Sequence, residues 1–183
     1  MMSWEGGPRV PAIMRWPGKI PAGETSDAIV TLMDLMPTFA NLAGVGLPAD
    51  LNIDGKDILP LITGKTNESP HEYFYYYAHT KLHAVRDDRW KLVLPREARP
   101  GWMGWWARMI DEVPEIQLYD LSADIEEKNN VASEHPEAVD RLMEQIEIAR
   151  TELGDCDRIG TGARFFDPQP KRPDIAAYQR ATT

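Results

Sequence analysis

Residues 73–94 read Tyr73-Phe74-Tyr75-Tyr76-Tyr77-Ala78-His79-Thr80-Lys81-Leu82-His83-Ala84-Val85-Arg86-Asp87-Asp88-Arg89-Trp90-Lys91-Leu92-Val93-Leu94. Aromatic and β-branched residues crowd this stretch and its period is two, the pattern of β-strands. Thr80-Lys81 reads as a turn, and Asp87-Asp88 is short enough for a hairpin loop. The expected strands are 73–78, 82–86 and 89–94, with a fourth at 116–121. Together they predict an antiparallel sheet whose inner face carries Trp90, Leu92 and Leu94.

Working outward, the chain downstream of the sheet predicts a long helix from Pro136 to Gly154. Val139, Leu142, Met143, Ile146, Ala149 and Leu153 form one apolar stripe, opposite Glu, Asp and Arg. Pro at the first helical position and Gly just past the end are the punctuation such a helix uses. A helix of this length spans roughly 25 Å, enough to cover four strands. Beyond Gly154 no period is visible, which predicts an irregular tail.

Between the third and fourth strands, Trp102, Trp105, Trp106, Met109 and Val113 recur at helical spacing and predict a short helix. Upstream, Thr31 to Gly44 predicts a helix capped by Asp34, with Leu35, Phe39, Leu42 and Ala43 on its apolar face. A turn at Asp54-Gly55 leads to a short amphipathic stretch, Ile58 to Ile62. Val10-Pro11-Ala12-Ile13-Met14-Arg15-Trp16 reads as a short strand buried on both faces. Few other strands of that kind are present to pair with it.

Composition narrows the function classes. The chain has 183 residues, 43% hydrophobic and 27% charged, with one cysteine and a net charge of −9. A single Cys makes neither an internal disulfide nor a structural zinc site. The acidic balance disfavours a nucleic-acid partner, and no apolar run approaches the roughly 20 residues of a membrane helix. The first residues lack the basic and apolar regions of a signal peptide.

Several local sequences carry a resemblance. They are Trp4-Glu5-Gly6-Gly7-Pro8-Arg9-Val10-Pro11, Arg15-Trp16-Pro17-Gly18-Lys19-Ile20-Pro21-Ala22-Gly23 and Met33-Asp34-Leu35-Met36-Pro37-Thr38. Further on come Ile53-Asp54-Gly55-Lys56-Asp57-Ile58-Leu59-Pro60-Leu61, Ala84-Val85-Arg86, Arg89-Trp90-Lys91-Leu92, Leu118-Tyr119-Asp120-Leu121 and Glu127-Lys128-Asn129-Asn130-Val131-Ala132. In order and spacing the chain resembles the C-terminal part of the sulfatase family, within the alkaline-phosphatase-like superfamily. The resemblance implies an α+β fold: a small four-stranded antiparallel sheet packed with a long C-terminal helix. A remnant strand and helix of a larger α/β sulfatase domain precede it. The implied divisions are 1–66 (end of the α/β domain), 67–154 (sheet and helix) and 155–183 (tail).

The family hydrolyses sulfate esters with a formylglycine made from Cys or Ser in a Cys/Ser-x-Pro-x-Arg motif, and with a calcium ion held by several oxygen ligands. Neither Cys156 nor any serine here has Pro two positions on and Arg four on. The resemblance places the nucleophile, the metal ligands and a sulfate-contacting Lys upstream of these residues. The expectation is therefore a C-terminal fragment, inactive alone, of a parent that uses calcium and formylglycine to cleave sulfate esters. Two alternatives stay open: a fragment of a phosphoester or phosphonate hydrolase of the same superfamily, or a non-catalytic interaction module that self-associates through the strand 10–16.

Glu5 and Arg9 lie nearest the family's active site, and they either support the parent's sulfate pocket or form a tight turn with a structural ion pair. Trp102, Trp105 and Trp106 either stack on a sugar or aromatic substrate or, as the helical spacing favours, pack on the sheet. His79 and His83 are separated by a turn, against a shared metal site. His71 and His135 read as a structural or surface residue and a helix-start residue. Asp124, Glu126, Glu127, Asn129 and Asn130 lack the spacing of a calcium loop and read as a solvated turn. Cys156 has two Asp neighbours, which disfavour a thiolate.

Overall fold

Alternation of aromatic and β-branched residues after residue 73 produces four strands, β1 (Phe74–Ala78), β2 (Lys81–Arg86), β3 (Trp90–Val93) and β4 (Gln117–Asp120), hydrogen-bonded in the order β1-β2-β3-β4. Every pairing is antiparallel. The structure is a computed structural model describing residues 3–50, 52–99, 105 and 109–163. Asp87 closes the β2–β3 hairpin, its carboxylate accepting the Arg89 and Trp90 N–H groups at 2.9 and 2.6 Å. The β1–β2 register slips at a bulge between Tyr76 and Tyr77. Along the outer side of β4, the Leu118 N–H donates to Asn130 Oδ1 and its carbonyl accepts from the Val131 N–H.

One helix covers one face of this sheet. α3 (Pro136–Glu152) begins at the His135 cap, carries Pro at its start, and has Glu137 in its first turn and Arg150 in its last. That charge order suits the helix dipole. Ala138, Leu142, Ile146 and Ala149 pack against Leu82, Val85, Trp90, Leu92, Leu94 and Leu118. Leu142 and Ile146 are fully buried, each stabilising the fold by about 1.5–3 kcal/mol. Leu153, expected in the stripe, is half exposed because the helix has ended. The tail does not start as irregular chain: Gly154–Asp155 and Arg158–Ile159 pair as a small hairpin, β5 and β6. Gly154 permits it with a positive φ of 100°, a conformation side chains resist.

The second face of the sheet is also covered. Tyr76, Ala84, Val93, Tyr119 and Leu121 form a cluster there with Val113, joined by Trp4 and Phe74. Val113 and Arg96 form an isolated antiparallel bridge, so the helix expected from Trp102 does not extend to Val113. The rest of that expected helix lies mostly outside the described residues.

Residues 10–16 form no strand. Val10 is 72% and Ile13 95% exposed, and no described strand lies alongside to take up their backbone groups. The expected helix at 31–44 appears as a 3-10 turn, Leu32–Asp34, running into α1 (Leu35–Leu42), and Gly44 stops it at φ 67°. Its buried side is the reverse of the expected one. Asp34, Pro37 and Thr38 face inward while Phe39 and Leu42 are exposed. Hydrogen bonding decides this. Asp34 accepts the N–H groups of Thr31 and Lys56 and contacts His71 Nε2 at 2.7 Å, and Thr38 Oγ1 accepts from the Ile58 N–H. Gly55 lies so close to the Met33 carbonyl that an added Cβ would stand 2.1 Å from its oxygen. α2 (Leu59–Ile62) falls within the amphipathic stretch read from the sequence.

Candidate functional site

Strand alternation sends Trp90 and Leu92 toward α3 and Lys91 to the opposite face, where the turn at residues 4–8 packs. Lys91 is fully buried, so its ammonium needs close partners. It finds three: the Ser3 carbonyl at 2.5 Å, Glu5 Oε1 at 3.0 Å and Glu127 Oε1 at 2.7 Å. Arg86, opposite Lys91 in the register, reaches Glu5 Oε2 at 2.8 Å. The Tyr76 hydroxyl donates to Glu5 Oε1 at 2.5 Å, and the Glu5 N–H donates to Glu127 Oε2 at 2.6 Å. Three strands and two loops thus converge on Glu5.

Two carboxylates and two cations make the cluster neutral. Burial would raise the Glu5 carboxyl, but Lys91, the Tyr76 hydroxyl and Arg86 together hold it below its ordinary value. Burial and the adjacent Glu5 carboxylate push the Tyr76 phenol far up. Glu5 therefore stays ionised across the neutral range, and the charged groups of the cluster turn inward, with Glu5, Arg86 and Lys91 all buried. Its chemistry is anchoring: it fastens residues 3–5 to the sheet.

Next to it, Ser3 Oγ lies 2.6 Å from His83 Nδ1, both residues buried. Trp4 donates its indole N–H to Asp111 at 2.6 Å and meets Tyr119 edge-on. Asp111 also pairs with Arg96 at 2.8 Å.

The other residues singled out in the sequence do not join this cluster. Arg9 is brought near Glu5 by the backbone, its N–H bonding the Glu5 carbonyl, yet its side chain pairs with exposed Asp27. Trp105 is exposed, and Trp102 and Trp106 lie outside the described residues. The 124–130 segment is a solvated turn around Asp124, which accepts the N–H groups of Lys128 and Asn129. Glu127 departs from that reading: its side chain turns inward to Lys91. Cys156 borders a cleft of about 480 Å³ with Tyr77, His79 and Arg158. Burial and Asp155 push its thiol up, as the neighbouring acids implied.

The N-sulphoglucosamine sulphohydrolase C-terminal family model matches residues 1–152. The chain belongs to that family. It is a sulfatase C-terminal portion, similar over 149 residues, at 35% identity, to the N-acetylgalactosamine-6-O-sulfatase of Bacteroides thetaiotaomicron. That match covers 81% of this chain and 29% of the relative. Human steryl-sulfatase is 50% identical over 84 residues, 46% of this chain and 14% of the relative. Among solved structures, a Bacteroides thetaiotaomicron protein described under the metabolism of multiple glycosaminoglycans matches with a TM-score of 0.59 at 33% identity, over 75% of this chain and 28% of that one. A Pseudoalteromonas sulfatase shares the fold at a TM-score of 0.65 and 21% identity, over 80% of this chain and 30% of that one. The chain thus spans 14% to 29% of the length of these curated relatives.

The described residues of this sulfatase portion do not fit calcium. Among the described residues no group of three or more His, Cys, Asp or Glu is placed to hold a metal ion. The buried carboxylates are already engaged: Glu5 and Glu127 by Lys91, Asp34 by backbone N–H groups and His71, and Asp87 by the Arg89 and Trp90 N–H groups and Arg141. The sequence likewise offers no formylglycine precursor motif. Of the cluster that does form, Glu5 was legible from its motif. Lys91, Arg86 and Glu127 were not, because a charged residue at an alternating strand position reads as facing water.

Proposed function

We propose that this chain is the C-terminal part of a sulfate-ester hydrolase and is catalytically inactive by itself. One observation carries the reading: 35% identity across 81% of the chain to an N-acetylgalactosamine-6-O-sulfatase. A sulfated-sugar ester is accordingly the proposed substrate class of the whole protein. Residues 1–66 belong to its larger α/β domain, and calcium and formylglycine to residues outside this chain. Within the whole protein, Glu5 supports the sulfate pocket indirectly, by anchoring its turn to the small sheet, and Arg9 and the exposed Trp105 border the cleft. The neutral, inward-turned Glu5 cluster supports inactivity of the chain alone, since it frees no acid, base or nucleophile.

The test is an assay of the 183-residue chain, and of a longer polypeptide containing it, with 4-nitrophenyl sulfate and 4-nitrophenyl phosphate in the presence of calcium. Sulfate release by the longer polypeptide alone is expected. Turnover by the short chain overturns the inactivity, and release of phosphate without sulfate moves the reading to phosphoesters.

The exposure of Val10, Ile13, Leu32 and Phe39 (72%, 95%, 86% and 60%) favours a second reading, a module that self-associates through 10–16. Light scattering after size exclusion distinguishes them, because a concentration-dependent dimer is required by the second.

A further inference from the structure

We propose that the Ser3–His83 contact is an acid-labile latch, holding the N-terminal turn on the sheet while His83 is neutral and freeing it when His83 takes a proton. Ser3 and His83 are 6% and 2% exposed, and Ser3 Oγ meets His83 Nδ1 at 2.6 Å. The second ring nitrogen, Nε2, is buried without a hydrogen-bond partner among the described residues. A neutral imidazole tolerates one unmet nitrogen. An imidazolium has two N–H donors, and here the second has no acceptor.

The surrounding charges sharpen this. Arg96 and Lys81 present like charge to the ring. Of the acids facing it, Asp111 is already bonded to Arg96 and Trp4, and Asp155 to Arg150 and the N–H groups of Leu82 and Cys156. Glu5, Lys91 and Arg86 are satisfied within the adjoining cluster. Ser3 Oγ can accept from Nδ1–H, so hydration of Nε2–H is the remaining way to solvate a charged His83, and undocking of the buried Ser3 turn is the route by which water reaches the ring. Burial, then Arg96 and Lys81, push His83 from its ordinary 6.5 down to about 4. A depressed histidine stabilises the docked turn fully above 6.5, and that contribution is lost as pH falls toward 4. Across that window each pH unit raises the opening constant about tenfold.

The latch stands on this chain's own residues and holds whether or not the whole protein cleaves sulfate esters. Hydrogen exchange of residues 3–9 in the full 183-residue chain, corrected for intrinsic rates, is followed from neutral pH to below 4 beside the NMR titration of His83. Expected are a low-titrating His83 and an opening constant that climbs about tenfold per unit. His83→Gln abolishes that slope above the acid range, below 4.5, in which Glu5 titrates. Ser3→Ala, a milder change that keeps the ring, speeds exchange at neutral pH and lets His83 titrate closer to 6.5. A His83 that titrates near 6.5 in the unaltered chain with the turn still protected overturns the latch. So does an unchanged slope in His83→Gln, or, where that variant fails to fold, a Ser3→Ala chain that exchanges and titrates like the parent sequence.

Discussion

Lys91 and Glu127 meet at 2.7 Å across 36 residues of sequence, the ammonium fully buried and the carboxylate 3% exposed. That pair joins the middle of the sheet to the loop after β4 and, through the Glu5 N–H, to the N-terminal turn.

Truncating the cation should be severe. Lys91→Met leaves the Glu5 and Glu127 carboxylates buried beside each other with only Arg86 to offset them. A loss of about 3–5 kcal/mol is expected in urea unfolding. Adding Glu5→Gln to Lys91→Met should recover part of it. A single-variant loss below about 1 kcal/mol, the range of surface pairs, contradicts the burial of this pair.

The same cluster sets an acid limb of stability. The Glu5 carboxyl titrates below its ordinary 4.5. Its contribution is therefore present above that value and fades as pH falls through the lower, folded one. Glu5→Gln should flatten unfolding free energy against pH in this acid range while lowering it at neutral pH. Equal slopes for the two proteins exclude Glu5 as the titrating group.

Two glycines give a sharp contrast. At Gly55 an added Cβ collides with the Met33 carbonyl, whereas at Gly6 nothing lies within 4 Å. Gly55→Ala should cost about 1–3 kcal/mol by forcing the backbone apart, and Gly6→Ala should stay within about 0.5 kcal/mol. Comparable melting temperatures for the two variants contradict the close approach at Gly55.

Along α3 the cost of truncation should follow burial rather than hydrophobicity. Ile146→Ala is expected to lose about 2–5 kcal/mol. Leu153→Ala, half exposed beyond the helix end, should lose much less. Chemical denaturation of the two variants measures the difference.

The sheet and α3 were legible because their determinants are local. Alternation around Trp90, Leu92 and Leu94 names a face, and the Leu142–Ile146–Ala149 spacing names its partner. Lys91 shows where that reading stops. Alternation correctly sends it away from α3, but its cover comes from Ser3 and Glu5, 88 and 86 residues away. Glu127 looked like one acid among several on a solvated turn, and its inward partners, Lys91 and the Glu5 N–H, are 36 and 122 residues away. Phe39 and Leu42 fail in the opposite sense. They form an apolar stripe, yet α1 is held by the hydrogen bonds of Asp34 and Thr38, which no hydrophobic pattern encodes. The hairpin after Gly154 escaped because two-residue strands carry no period.

The margins of the sheet have a bearing on how the protein behaves in a crowded solution. Along β4 the Leu118 amide and carbonyl are already occupied by Asn130 and Val131, so a foreign strand finds no vacant ladder there. At the opposite margin the pairing of β1 slips between Tyr76 and Tyr77, where β2 carries one extra residue, His83, a bulge that increases the local twist of the pair. The tyrosine-rich, strongly β-forming segment thus borders a sheet that is covered at one margin and twisted at the other, two features that work against edge-to-edge pairing.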